Sequence, residues 1–459
     1  MKLKSLLLIL VGSILFAYNT IAQDDAKDSK VEKVEKVKTG WNFGGLPVVS
    51  FDSDLGFQYG ALLNIFNYGD GSRYPDFMHN LYIEWSRFTK GSGINRIFFD
   101  SKTLIPGIRF TTDLSYLTDK TYDFYGFNGY EAQYNPSWTD DEDLDNYMSR
   151  VFYKYDRKLF RYTLDLQGKL PMNNFGWAAG VGLYNYNIGK VDIEPLNKGK
   201  DPADQLPDTL TLYEHFVNWG IIDPEEAEGG FVTYIKAGIV FDTRDNEPNP
   251  NKGIWTEAVL NYAPSFMGIG KDYEHLKFTL TYRQYFTLFP EKLTFAYRLA
   301  YQTTLLGNCP FYLQPNITTL ILRGSTSEGL GGGKSLRGVI RNRVIGDAIA
   351  YANLELRWKF VRFHFINQNF YLSLNGFMDG GRVITPVKFN NYFIDPADVG
   401  LGITEDQIFS PDKEGLHMSY GGGLRIVMNQ NFIIAIDHGR PFDKRDGTSG
   451  TYIGLNFLF

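Results

Sequence analysis

Residues 350–360 read Ala350-Tyr351-Ala352-Asn353-Leu354-Glu355-Leu356-Arg357-Trp358-Lys359-Phe360. Every even position is apolar, and Tyr, Asn, Glu, Arg and Lys stand between them. A period of two puts successive side chains on opposite faces of a β-strand, so this stretch has one apolar and one polar face. The pattern recurs at 276–287, where Leu276, Phe278, Leu280, Tyr282 and Phe286 oppose Lys277, Thr279, Thr281, Arg283 and Thr287. At 370–379, Phe370, Leu372, Leu374 and Met378 oppose Tyr371, Ser373, Asn375 and Asp379. Such segments run longer than the roughly 5–6 residues usual in soluble sheets. Alternation at this length is the signature of a transmembrane β-barrel, whose outer face meets lipid and whose inner face meets water or protein.

Working outward, sixteen alternating segments lie between about residue 45 and residue 459, the last at 451–459. The long connections are 128–148, 192–229, 307–346 and 384–415, with shorter ones at 268–272 and 443–450 on the same end. The opposite end has tight turns at 171–174, 290–292 and 429–431. This asymmetry predicts an all-β, 16-stranded antiparallel barrel in an outer membrane, with long loops outside and the N-terminus periplasmic. Thirty Tyr, thirty-six Phe and seven Trp suit aromatic girdles at the two interfaces. No apolar run after the N-terminus reaches the length of a spanning helix.

The N-terminus carries Lys2 and Lys4, an apolar run from Leu6 to Ala17, and small residues Thr20 and Ala22. It predicts a signal peptide over 1–22 and hence an exported protein, and with the outer-membrane barrel a Gram-negative source. Its removal takes two lysines and moves the net charge from −6 to −8. Residues 23–40 read as a periplasmic N-terminal linker, and 41–459 as one barrel domain. The single cysteine, Cys309, permits no internal disulfide.

The loop 307–346 contains Gly331-Gly332-Gly333-Lys334-Ser335-Leu336-Arg337-Gly338. Consecutive glycines open positive-φ conformations to the backbone. Glu355 and Asp379 fall on the polar faces of the twelfth and thirteenth strands, so Arg337 can reach through the lumen to both. A buried arginine needs paired charge and filled donors, and a forked contact with carboxylates supplies both. The loop is therefore expected to fold into the lumen and narrow it. At the closure of the barrel, Pro47 cannot donate a ladder hydrogen bond, and Gly454 weakens the last strand. Pro47, Gly454 and the terminal Phe459 mark a candidate weak seam between first and last strands.

These residues carry a resemblance to the BamA/TamA superfamily, the bacterial surface antigen barrels. Phe241-Asp242-Thr243-Arg244-Asp245-Asn246, with Pro248, Pro250 and Gly253, resembles the family's Asp-Thr-Arg-Asp stretch and its periplasmic turn. Leu336-Arg337-Gly338 resembles the motif of the sixth extracellular loop, and Phe377-Met378-Asp379-Gly380-Gly381 the motif of the thirteenth strand. The resemblance is clear over roughly 230–459. It implies that Arg337 pairs with Glu355 and Asp379, that Asp242, Arg244, Asp245, Phe377 and Gly381 are motif positions, and that the barrel inserts or translocates outer-membrane proteins or lipids. Val339 stands where the family has an aromatic, which removes a contact of the loop tip. The stretch 23–40 is too short for the POTRA modules of the family, so the chain is expected to be a barrel-only branch. The expected partners are outer-membrane lipid and lipopolysaccharide, with client barrels or assembly factors. The alternatives are a passive pore gated by the sixth loop, or a structural subunit of an outer-membrane complex.

Enzymatic and cofactor readings find little support. Gly-Lys-Ser at 333–335 lacks the first glycine of a P-loop, since Glu328 stands there. Six scattered histidines, one cysteine and no Gly-x-Ser-x-Gly elbow offer neither a metal site nor a triad. Asp140-Asp141-Glu142-Asp143 reads as a solvated acidic loop. An acidic chain without a basic stripe is not expected to bind nucleic acid.

Overall fold

The computed structural model describes residues 37–52, 56–74, 76–268, 273–320, 329–365, 368–389, 392–394, 403–428, 432–455 and 457–459. The expected signal peptide, most of the 23–40 linker and the 429–431 turn lie outside these residues. The strands are β1 (Trp41–Asp52), β2 (Gly56–Asn67), β3 (His79–Phe88), β4 (Gly93–Ile105), β5 (Ile108–Asp123), β6 (Lys154–Lys169), β7 (Phe175–Gly189) and β8 (Gly229–Asp242). They continue with β9 (Gly253–Ala263), β10 (His275–Phe289), β11 (Leu293–Gly307), β12 (Ala348–Phe365), β13 (Gln368–Thr385), β14 (His417–Met428), β15 (Phe432–Pro441) and β16 (Gly450–Leu455). Each pairs antiparallel with its neighbours in sequence, and β1 meets β16 to close the barrel.

The faces are inverted relative to a soluble sheet. On β12, Tyr351, Asn353, Glu355 and Arg357 are buried inside, while Leu356, Trp358 and Phe360 are exposed outside. On β10, Lys277, Thr279, Thr281 and Arg283 are buried, while Leu280 and Phe286 are exposed. Apolar groups outside and charges inside suit a sheet whose exterior is hydrocarbon and whose closed ladder leaves no unpaired edge. No helix among the described residues is long and apolar enough to cross a membrane.

The long loops pack into a common aromatic cap. Phe124 and Phe127 contact each other edge-on, with Phe124 also edge-on to Phe216 at 5.4 Å, and Trp138 packs on Phe152 at 5.0 Å. Phe389 and Phe409 join this core from the loop after β13. A helix at Leu212–Asn218 is started by a capping box of Thr211 and Glu214, and it carries Phe216 inward. The sequence places a sixth strand at 149–170, but the strand starts at Lys154, and residues 149–153 belong to this cap, where Phe152 and Tyr153 pack on its rings.

Glu226, beside that helix, accepts the Phe311 N–H at 2.7 Å. Burial pushes its carboxyl up to about 7, so the folded cap holds this proton more tightly than the unfolded chain does. The contribution is full below about pH 4.5 and is lost as pH rises through about 7. Exchange of the Phe311 amide, corrected for its intrinsic rate, should therefore be faster at pH 8 than at pH 5. Glu226→Gln should remove that difference.

Candidate functional site: an arginine-anchored loop inside the barrel

Loop 6, between β11 and β12, enters the lumen and is held by buried arginines at Arg337, Arg341 and Arg343, the first two on the wall and the third on the cap. At its tip Arg337 is fully buried. Its Nη1 donates to Glu355 Oε1 at 2.6 Å, while Nε and Nη2 fork onto the two oxygens of Asp379, both at 2.9 Å. The Arg337 backbone N–H also donates to Asp379. The guanidinium lies 3.6 Å above the Phe377 ring, so the thirteenth-strand motif supplies both a carboxylate and an aromatic face. Arg357 donates to the other oxygen of Glu355, and Arg425 forks onto Asp437, which lies 3.6 Å from Arg337. Three guanidinium groups thus share three carboxylates, which balances the charge of a desolvated network.

The backbone of the tip rests directly on β15. Gly338 has φ +98°, and a Cβ there would collide with the Gly439 carbonyl carbon and meet Arg440 N at 2.6 Å. Gly381 is needed for a similar reason, since a Cβ would meet Leu330 at 2.8 Å. Leu336 and Val339 are fully buried with Leu330, Val344 and Val383, so valine fills the position where an aromatic was expected. Gly338→Val adds a clash to a backbone conformation that alone costs about 1–3 kcal/mol in a non-glycine residue. In a chain with Cys309 replaced by serine, it should speed maleimide labelling of a cysteine placed at buried Ser335.

Sequence reasoning missed the second and third anchors. Arg341 donates to Asp119 at 2.8 Å and to Asp123 at 2.6 Å, on the far wall at β5. Arg343 donates to the Gly129 and Ala132 carbonyls in the cap. Nearer β11, Lys236 donates to the Leu320 carbonyl and Lys277 to that of Leu313. The Arg-x-Arg spacing at 341–343 and the inward Asp119 and Asp123 were the available signals. More than 200 residues separate the Arg341 partners, too far for strand-neighbour reasoning to connect them.

Asp242, Arg244 and Asp245 build the turn at the other end of the barrel. Arg244 forks onto Asp242 and stacks on Trp255 at 4.0 Å, and Asp245 accepts the N–H groups of Asn251 and Lys252. This turn folds under the lumen. Glu247 reaches Lys102 and Arg109, Asn249 donates to Tyr371 on β13, and Lys359 of β12 donates to Asn251.

The seam residues do not cluster as expected. Among the described residues β1 meets β16 only at Phe51↔Ile453 and Asp52↔Tyr452, whereas β1 pairs with β2 from Trp41↔Asn67 to Asp52↔Gly56. Pro47 and Gly454 lie beyond the two closing pairs. Phe459 is not in the seam at all. β16 ends at Leu455, and the Phe459 side chain is buried in the lumen against Tyr285 and Ala296, with its carbonyl accepting from Arg357 at 3.0 Å. The buried Arg357 needs an acceptor and an aromatic neighbour, and the chain end provides both. Cys309 is free, and burial pushes its thiol up to about 11.

An apolar exterior, a polar and charged interior and a loop pinned inside the lumen define a transmembrane barrel of the outer-membrane type. The chain belongs to the Omp85 superfamily, whose domain profile matches residues 98–459. Among solved structures, BamA from Haemophilus ducreyi lacking POTRA domains 1–3 is 14% identical, over 92% of this chain and 71% of that one, with TM-score 0.49. CdiB from Escherichia coli is 13% identical over 91% of this chain and 62% of its own, with TM-score 0.51. The chain thus spans less than two thirds of the CdiB chain. At such identity the likeness to CdiB concerns the fold alone. No curated protein matches the sequence significantly.

Proposed function

We propose that this barrel assists insertion or translocation of outer-membrane proteins or lipids by opening between β1 and β16. In this reading the long loops are extracellular, the short turns and N-terminus are periplasmic, and the exposed apolar belt contacts lipid and lipopolysaccharide. The observation that carries it is the closure itself. Two described register pairs join β1 to β16, against twelve joining β1 to β2. Each ladder position lost removes hydrogen bonds that hydrocarbon cannot replace, so this junction is where the wall opens at least cost. Gly338 N donates to Tyr452 OH on β16 at 3.4 Å, so the loop tip also touches the strand that would move.

The test reconstitutes the purified protein into liposomes and follows folding of a urea-denatured client barrel by its heat-modifiable gel mobility. Faster client folding than in empty liposomes is expected. Equal rates would sink the proposal. A passive pore is less favoured, because loop 6 crosses the lumen and the 243–252 turn lies under it, tied to both walls.

A further inference from the structure

Between the β5–β10 wall and the first half of loop 6 lies a chamber of about 60 Å³. At about 10–15 Å³ per water, it has room for a few waters or one tetrahedral ion. It is separate from the Arg337 network. Four cationic side chains line it: Arg157 and Arg161 from β6, Lys236 from β8 and Lys277 from β10. Arg161 is held by Asp113 at 3.0 Å and Lys236 by Asp165 at 2.6 Å.

Lys277 differs from these. It is 2% exposed and forms no ion pair among the described residues. Its ammonium donates to the Leu313 carbonyl at 3.0 Å, which fills one donor without neutralising the charge. Cys309 lies beside it, but burial keeps that thiol protonated at neutral pH. A buried ammonium without a counter-charge costs several kcal/mol, and natural interiors pair such charges. Here the missing negative charge would fall in the chamber.

We propose that the chamber binds one small inorganic oxyanion of the phosphate or sulfate class, with Lys277 as its main counter-charge and Lys236 and Arg161 flanking it. Lysine suits the role as a compact point charge with three rotatable donors. The volume admits the ion itself, not a sugar or lipid that carries it. The inference is independent of the proposed insertion activity. A resident anion would also tie β6, β8 and β10 to the loop segment Leu313–Leu320.

The experiment is equilibrium dialysis of radiolabelled inorganic phosphate against the detergent-purified full chain, in chloride buffer of fixed ionic strength. Saturable uptake near one ion per chain is expected, displaced by sulfate and not by chloride. Lys277→Met should weaken uptake at least ten-fold while the folded gel mobility persists, because methionine leaves no carboxylate orphaned. Lys200→Met, on an exposed loop, should bind as the parent does. No saturable uptake by the parent protein overturns the proposal whether or not Lys277→Met folds. Equal affinity in Lys277→Met, or tighter binding of glucose 1-phosphate than of phosphate, overturns it too.

Discussion

Arg337→Ala should turn a closed lumen into a conducting one. Both oxygens of Asp379 bind the Arg337 guanidinium, and Asp379 is 1% exposed, so Arg337→Ala leaves a buried carboxylate with the residue-337 backbone N–H but without its counter-charge. Glu355 keeps Arg357 and loses less. Breaking a buried pair from one side costs about 3–5 kcal/mol, enough to loosen the tip from the wall. Planar-bilayer recordings should show larger and more frequent openings than in the parent, and unfolding should need less urea. Arg337→Lys should fall between the two, since it keeps the charge and loses the fork. Arg337→Ala combined with Asp379→Ala should cost less than the sum of the single changes. Unchanged conductance and urea midpoint in Arg337→Ala would show that the loop is held without this network.

The second large effect concerns closure. Phe51 and Ile453 are register partners across β1 and β16. Antiparallel partners lie about 4.5–5.5 Å apart at Cα, within disulfide reach. A Phe51→Cys, Ile453→Cys protein, with Cys309 replaced by serine, should form a cross-link on oxidation. Client folding should then drop at least ten-fold and recover on reduction. Phe51→Cys with Phe57→Cys, within the continuous β1–β2 hairpin, is the control and should stay active when oxidised. Full activity of the oxidised β1–β16 pair would end the seam proposal. The register matters here. Leu455 pairs with Ile434 of β15, and the closing pairs to β1 lie at Ile453 and Tyr452.

Much of the barrel was legible before any coordinates. Alternation is local, and each strand pairs with the next, so Glu355 and Asp379 could be placed on adjacent inner faces by counting. What escaped were contacts between segments far apart in sequence. Arg341 with the β5 carboxylates, and Glu247 with Lys102 and Arg109, join segments more than 130 residues apart. The end of the chain misled for a different reason. Ile453, Leu455, Phe457 and Phe459 keep the outward period, yet Phe457 and Phe459 are buried, because buried arginines inside the barrel draw the tail inward.

By itself the sequence determined the class of fold, the number of strands and which face of each meets lipid. Those follow from a two-residue period and turn lengths, which are properties of short stretches. It also determined the chemistry of the loop tip, because an arginine bound for a lumen must find carboxylates there. Only the tertiary structure decided which walls the rest of loop 6 ties together, how the 243–252 turn lies beneath it, and where the chain ends. These depend on which inward side chains become neighbours when a sheet closes on itself, and no local period encodes that geometry.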